Sequence, residues 1–195
     1  MDRATLKANA KVQIKGKIGI LFVIYLIMAA IATVASFIPG VGSLAYTVVL
    51  GPAFALALVK IFLGLADGVE PSIKALFGEF NHFWAAFKVT FLVGLFTYLW
   101  SLLLVIPGII KAISYSQAMY VLAENPEIGA REAINRSKAM MNGHKMEYFL
   151  LMLSFIGWFL LCAITFGIAC IWVIPYITAA ETNFYNSVKN SVEAA

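Results

Sequence analysis

The side chains best suited to chemistry are two histidines, two cysteines and a few charges set among oily residues, and their spacing argues against catalysis. His82 and His144 each have a carboxylate three residues away, Glu79 and Glu147, so each pair can share a helix face. That is a fragment of a metal site, because a zinc centre needs three or four protein ligands. A nucleophile would need a base within reach, and neither histidine has a cysteine partner nearby in the sequence. There is no glycine-rich loop to cradle a phosphate. We therefore expect no enzyme: no catalytic residues, no cofactor and no metal. Cys162 and Cys170 flank a turn expected at Phe166-Gly167, where a cross-hairpin bond is geometrically conceivable. Small apolar fillers are the simpler reading of both.

Transport is the second chemistry to weigh. Lys60, Lys111 and Glu181, with Ser114, Gln117, Tyr120 and Thr178, fall at or near membrane depth once the apolar runs are taken as spans. Polar groups there are the first suspects for a path. All three charges lie near expected helix ends, however, where snorkelling accounts for them. The polar side chains of residues 109–123 can equally be interhelical hydrogen bonds.

The elements that must position these groups follow from composition. The 195 residues are 62% hydrophobic and 12% charged, against about a quarter charged for a soluble domain. Too little polar surface exists to cover a globule in water, so lipid is the expected solvent. The net charge is +4, concentrated in the first stretch and between apolar runs, as the positive-inside rule requires. No basic-aromatic constellation for nucleic acid accompanies it.

Residues 1–17 carry Arg3, Lys7, Lys11, Lys15 and Lys17, four of them at i, i+4 spacing beside a stripe of Leu6, Ala10 and Ile14. This reads as a basic interfacial helix with its apolar stripe in lipid and its cations at anionic headgroups of the inner face. Residues 18–66 form a first hairpin, turning at Pro39-Gly40. Ala30-Ile31-Ala32 resembles a signal-peptide cleavage site, but the apolar run continues to Ile38, and an uncleaved helix is favoured. Pro52 should kink the return helix, and Gly51 with Ala55 offers a small-residue face.

A polar segment, 67–88, follows, with Pro71 opening a short helix and an aromatic cluster of Phe83, Trp84 and Phe87. A second hairpin, 89–123, breaks at Pro107-Gly108; its return arm spans or re-enters, and spanning is preferred. Residues 124–147 hold an amphipathic helix capped by Asn125, opened by Pro126 and stopped at Gly143, with Glu127/Arg131 and Glu132/Arg136 as i, i+4 pairs. A third hairpin, 148–184, turns at Phe166-Gly167 and is kinked or broken at Pro175; residues 185–195 are a short polar tail.

The expected fold is therefore an all-α membrane protein: a polytopic bundle of about six transmembrane helices in three hairpins, with cytoplasmic amphipathic helices between them. Four or five spans is the fallback. Both termini fall in the cytoplasm of a multi-pass cell-membrane protein, since the inverse arrangement would put nearly every basic residue outside. The similar Pro-Gly breaks, and the helix starts at Glu70-Pro71 and Asn125-Pro126, suggest a repeated unit.

Several stretches together carry a resemblance: Ile106-Pro107-Gly108-Ile109-Ile110-Lys111 through Tyr120, Asn125-Pro126 through Glu132-Ala133-Ile134, Arg136-Ser137-Lys138, and Gly143-His144-Lys145. Ser154-Phe155-Ile156-Gly157-Trp158 and Trp172-Val173-Ile174-Pro175-Tyr176 extend it, and the opening around Leu6-Lys7 and Ile14-Lys15-Gly16 also fits. The chain resembles the bacterial membrane-protein family called domain of unknown function 975. A looser similarity links it to the membrane domain of some glycerophosphodiester phosphodiesterases. The resemblance implies an integral membrane protein common in Gram-positive bacteria, with no assigned catalytic residues to transfer. The expected function is a membrane-organising, lipid-interacting or complex-forming module with a cytoplasmic recognition face. Its partners would be anionic lipid and a possible cytoplasmic protein, with the oligomeric state open. The alternative is a small transporter or permease.

Overall fold

The computed structural model describes residues 2–39 and 42–193, and every regular element among them is helical. The first helix, α1 (Arg3–Ile14), is capped by Asp2, whose Oδ1 accepts the Ala4 N–H at 3.0 Å while Oδ2 accepts the Thr5 hydroxyl at 2.9 Å. The Ala4 bond first, then the Thr5 bond, holds this exposed carboxyl below its ordinary value. The cap is thus in force above the usual carboxylate range and is lost as pH falls through the lowered value.

The stripe of Leu6, Ala10 and Ile14 is not in lipid as expected: it is buried against the last helix, α12 (Cys170–Glu193). Ala179 and Ala180 let the two helices approach closely, and Phe184 and Val188 complete the contact. The crossing is locked by a reciprocal amide pair, Gln13 Nε2 to Asn183 Oδ1 at 2.9 Å and Asn183 Nδ2 to Gln13 Oε1 at 3.0 Å.

α2 (Ile18–Ser36) ends before a turn that contains Pro39; Gly40, expected to share that break, lies outside the described residues. The next helical run is α3 (Gly42–Ala45), a π-helical stretch (Tyr46–Leu50) and α4 (Gly51–Ala66). Pro52 therefore follows a π turn inside a continuous helical run, and that wider turn absorbs the mismatch its ring and missing N–H create. The small-residue face is Ala53 and Ala57, both fully buried, rather than Gly51 and Ala55. α4 runs through the centre of the molecule. Its Phe54, Ala57 and Ile61 join a cluster with α1, α2 and α12, while Leu56 and Val59 join a second cluster built on the later helices.

Pro71 precedes a helix rather than opening one. Ser72 caps α5 (Ile73–Phe77) by accepting the Ala75 N–H at 3.2 Å, and a 3-10 turn (Phe80–His82) leads into α6 (Phe83–Leu103). Pro107-Gly108 likewise does not end the preceding helix. α6 stops at Leu103, Leu104 alone is extended, and α7 (Val105–Tyr115) begins, with Pro107 in its first turn. A proline there has no hydrogen bond to forfeit.

Residues 105–124 are divided into α7 and α8 (Ala118–Glu124). Asn125 and Pro126 are not the caps of the next helix. Asn125 ends α8 and its carbonyl accepts the Ile128 N–H at 3.2 Å, so residues 125–128 turn and Gly129 caps α9 (Ala130–Met140). Glu127 is left outside the helix, and of the two expected pairs Glu132–Arg136 forms, at 2.8 Å. Gly143, with φ +88°, supplies the expected left-handed stop shortly after α9.

The remaining helices are α10 (Lys145–Leu153), α11 (Ile156–Ile164) and α12. Phe166 and Gly167 both take positive φ, 50° and 88°, and the Gly167 N–H returns to the Cys162 carbonyl at 2.8 Å, making the expected turn. Pro175 is not a break: α12 passes through it and continues through the residues expected as a tail. Pro175 denies a bond only to the carbonyl of Ile171, one turn from the start of the helix, and eighteen residues of helix follow it.

Candidate functional site

The break between α7 and α8 places Ser116 and Gln117 inside the bundle. Gln117 is fully buried; its Nε2 donates to Ser116 Oγ at 2.9 Å, and its Oε1 has no hydrogen-bond partner. The Tyr148 hydroxyl, from α10, sits against Ser116 and donates to Glu181 Oε1 of α12 at 2.8 Å. Tyr120 stacks on Tyr185 with ring centroids 5.1 Å apart and faces Thr182. The Tyr25 hydroxyl lies 3.4 Å from that of Thr178. Gln117, Ser116, Tyr148 and Glu181 thus form a polar chain across three helices, with two further tyrosines alongside.

Of the intramembrane residues singled out from sequence, Gln117, Tyr120 and Glu181 come together here. Ser114 serves helix packing: its buried carbonyl accepts the Ser137 hydroxyl at 2.9 Å, tying α9 to α7. Lys60 pairs with Glu79 at 2.8 Å, and Lys111 places Nζ 4.5 Å from the ring centre of Trp100, so neither joins the chain. Tyr148, Ser116, Tyr25 and Thr182 were missed. Thr178 and Thr182, four residues apart on one face of α12, were the available signal for Thr182.

The basic stripe of α1 divides. Lys7 donates to the Ser154 carbonyl at 3.0 Å with Nζ 4.2 Å from the Phe155 ring centre, Lys11 lies 5.6 Å from that of Tyr176, and Lys17 pairs with Glu70 at 2.9 Å. Arg3 and Lys15 remain exposed. The Lys7 contact has a cause in the backbone. α10 and α11 are separate at Ser154 because the Trp158 N–H bonds to Phe155 instead, at 2.9 Å, which releases the Ser154 carbonyl. A lysine from another helix fills that vacancy. Partial burial first, then Arg3 and Lys11, hold the Lys7 ammonium below its ordinary value. Lys7→Met should therefore cost about 1–2 kcal/mol, read as a lowered thermal midpoint in neutral detergent, whereas Lys15→Met should leave it unchanged.

At the end of the bundle where α8 stops, Glu124 accepts from Lys189 at 2.9 Å on both oxygens and from Tyr185 at 2.8 Å. Arg136 of α9 donates its Nε to Glu132 at 2.8 Å. Between α8, α9 and α12 lies a cleft of about 310 Å³ with Glu124, Arg136 and Lys189 on its polar side and Val121, Met140 and Val192 on its apolar side. His144 meets Glu147 at 2.9 Å, and among the described residues no three of His, Cys, Asp or Glu converge as metal ligands. Cys162 and Cys170 are free thiols.

The class is an all-helical protein with, among its described residues, five helices long and apolar enough to cross a membrane: Ile18–Ser36, Gly42–Ala66, Ile73–Leu102, Val105–Glu124 and Lys145–Ile164. α12, expected as a sixth span, is not among them, because polar residues from Glu181 onward dilute it. Large apolar side chains such as Phe91, Leu102, Ile106, Phe159 and Leu160 cover the outside of these helices. Residues 1–114 and 102–192 match the family described as protein of unknown function (DUF975), and the chain belongs to that family. No curated protein and no solved structure matches it, so the looser phosphodiesterase similarity gains no support.

Proposed function

We propose that this chain is a non-enzymatic, multi-pass cell-membrane protein that organises lipid or a protein complex through a recognition face at its charged end. Both termini lie in the cytoplasm on this reading. The observation that carries it is how the polar groups are used. Tyr148 bonds to Glu181 and Ser137 to Ser114 across helices, while Arg3, Lys15 and Arg131, in the charged segments of the sequence, are left exposed. The turn at Phe166-Gly167 instead presents an exposed apolar side chain, with Phe166 98% exposed. A photo-cross-linking residue in place of Arg131, in the full chain in native membranes, is expected to give a discrete lipid or protein adduct. The same probe at Phe166 should give only bulk-lipid background. Background at both positions would remove the recognition face.

A second reading, a small permease, draws on one specific feature: the unpartnered Oε1 of Gln117 at a helix break, chained to Glu181. Broken helices at buried polar positions are a transporter device. Proteoliposomes with a trapped pH dye decide it. Proton flux that disappears in Glu181→Leu would support the permease, and flux no greater than in empty vesicles would end it.

A further inference from the structure

We propose that the cleft between α8, α9 and the end of α12 binds the phosphoryl headgroup of an anionic lipid, with Arg136 as its principal contact. The inference rests on the recognition-face reading and names a ligand class and a place for it.

Arg136 is the group with bonding capacity to spare. A guanidinium has five N–H donors, and Arg136 gives one, Nε, to Glu132, which leaves both terminal nitrogens without a partner among the described residues. Their fork fits a phosphate in two-point fashion, which a lysine cannot reproduce. The one carboxylate lining the cleft is neutralised in place, since Lys189 bonds both oxygens of Glu124 and Tyr185 adds a third contact. An arriving anion therefore meets no uncompensated carboxylate in the cleft, and meets the terminal nitrogens of Arg136.

The other wall says that the anion carries a tail. Val121, Met140 and Val192 give the cleft more apolar than polar lining, and a free phosphate would gain nothing from them. About 310 Å³ suits a headgroup and the first few carbons, at the small end of ligand sites. The acyl chains would then continue outside, over apolar helix surface. The position agrees: Glu124 is the last residue of Val105–Glu124, one of the runs able to cross a membrane, so the cleft stands where the apolar surface gives way to charge. Phospholipid headgroups occupy that level.

The test uses the purified full chain in neutral detergent, titrated separately with dioctanoyl phosphatidic acid, dioctanoyl phosphatidylcholine and inorganic phosphate, with bound species counted by native mass spectrometry. Phosphatidic acid should bind in preference to the other two. Arg136→Gln should weaken it about tenfold, the scale of one charge-assisted contact, and Arg136→Lys should recover only part. Val192→Glu, at a residue 51% exposed, should weaken it as much without disturbing the fold. Inorganic phosphate binding as tightly as the lipid would overturn the lipid assignment. Phosphatidic acid binding that ignores R136Q and V192E but falls in R3Q/K15Q would place the headgroup on α1, overturning the cleft while sparing the recognition face. No preference for phosphatidic acid in any form would count against both.

Discussion

Gly108→Val is expected to abolish the folded protein, because the added side chain has no room at a backbone crossing. α6 and α7 are joined by Leu104 alone, in extended conformation at φ −158° and ψ 142°, so the two helices leave the junction in close contact. A Cβ on Gly108 would run into the Ser101 hydroxyl and lie 2.9 Å from the Ser101 Cα and 3.0 Å from its Cβ. Backbone at that distance cannot rotate away. Overpacking a tight site typically costs about 1–3 kcal/mol, which sets the expectation for Gly108→Ala. Valine adds two further methyl groups in the same place. Fluorescence-detected size-exclusion chromatography should show a weakened monodisperse peak for Gly108→Ala and none for Gly108→Val. Ser101→Gly should rescue the alanine variant only in part, because the Cα obstacle remains. Gly94, on α6, supplies the control. Its added Cβ would meet nothing within 4 Å, so Gly94→Ala should be neutral or slightly stabilising. A Gly108→Val protein that elutes and melts like the parent would contradict the close crossing.

That crossing also marks the limit of what could be read from one dimension. The apolar runs were legible because length and hydropathy are properties of a segment by itself. The turn at Phe166-Gly167 was legible because glycine is the residue that takes φ +88° without strain. A proline announces an irregularity but not its direction. Pro107 starts a helix rather than ending one, Pro126 lies in a turn ahead of its helix, and Pro175 is carried inside α12. Which of these occurs depends on whether the denied hydrogen bond was needed, and that is settled by neighbours far away in sequence. The stripe Leu6, Ala10 and Ile14 was found correctly as a face, yet lipid and α12 are equally apolar solvents for it. Only the Gln13–Asn183 amide pair tells them apart, and it joins residues 170 apart. The polar chain was half visible for the same reason. Gln117 and Glu181 stand out by being polar in oily surroundings, whereas nothing in the sequence sets Tyr148 apart from the other tyrosines before Glu181 is placed beside it.

Tyr148→Phe should be the costliest way to alter that chain, and costlier than removing the charge it serves. The Tyr148 hydroxyl donates to Glu181 at 2.8 Å, and among the described residues no second hydrogen bond to that carboxylate accompanies it. Taking away the donor leaves a partly buried carboxylate to be solvated by nothing nearby. In water-soluble proteins a hydrogen bond to a charged group contributes about 1.5–3 kcal/mol, while polar pairs between membrane helices average about 0.6 kcal/mol. The charge pushes the value up and the membrane reference state pushes it down, so a loss of about 1–2 kcal/mol is expected. Glu181→Leu removes the carboxylate together with its desolvation cost, and well-packed apolar replacements of buried charges are often close to neutral. The double variant should then be about as stable as Glu181→Leu alone, because Tyr148 has lost its acceptor already. The resulting coupling is strongly non-additive. Thermal unfolding of the four proteins in one neutral detergent measures it. Additive losses would mean that the hydroxyl and the carboxylate do not depend on each other. Coupling with Glu181→Leu fully stable would instead show that the carboxylate is dispensable to the fold, and its presence at that depth would then need a purpose other than stability, which the proton-flux measurement on the same variant is placed to reveal.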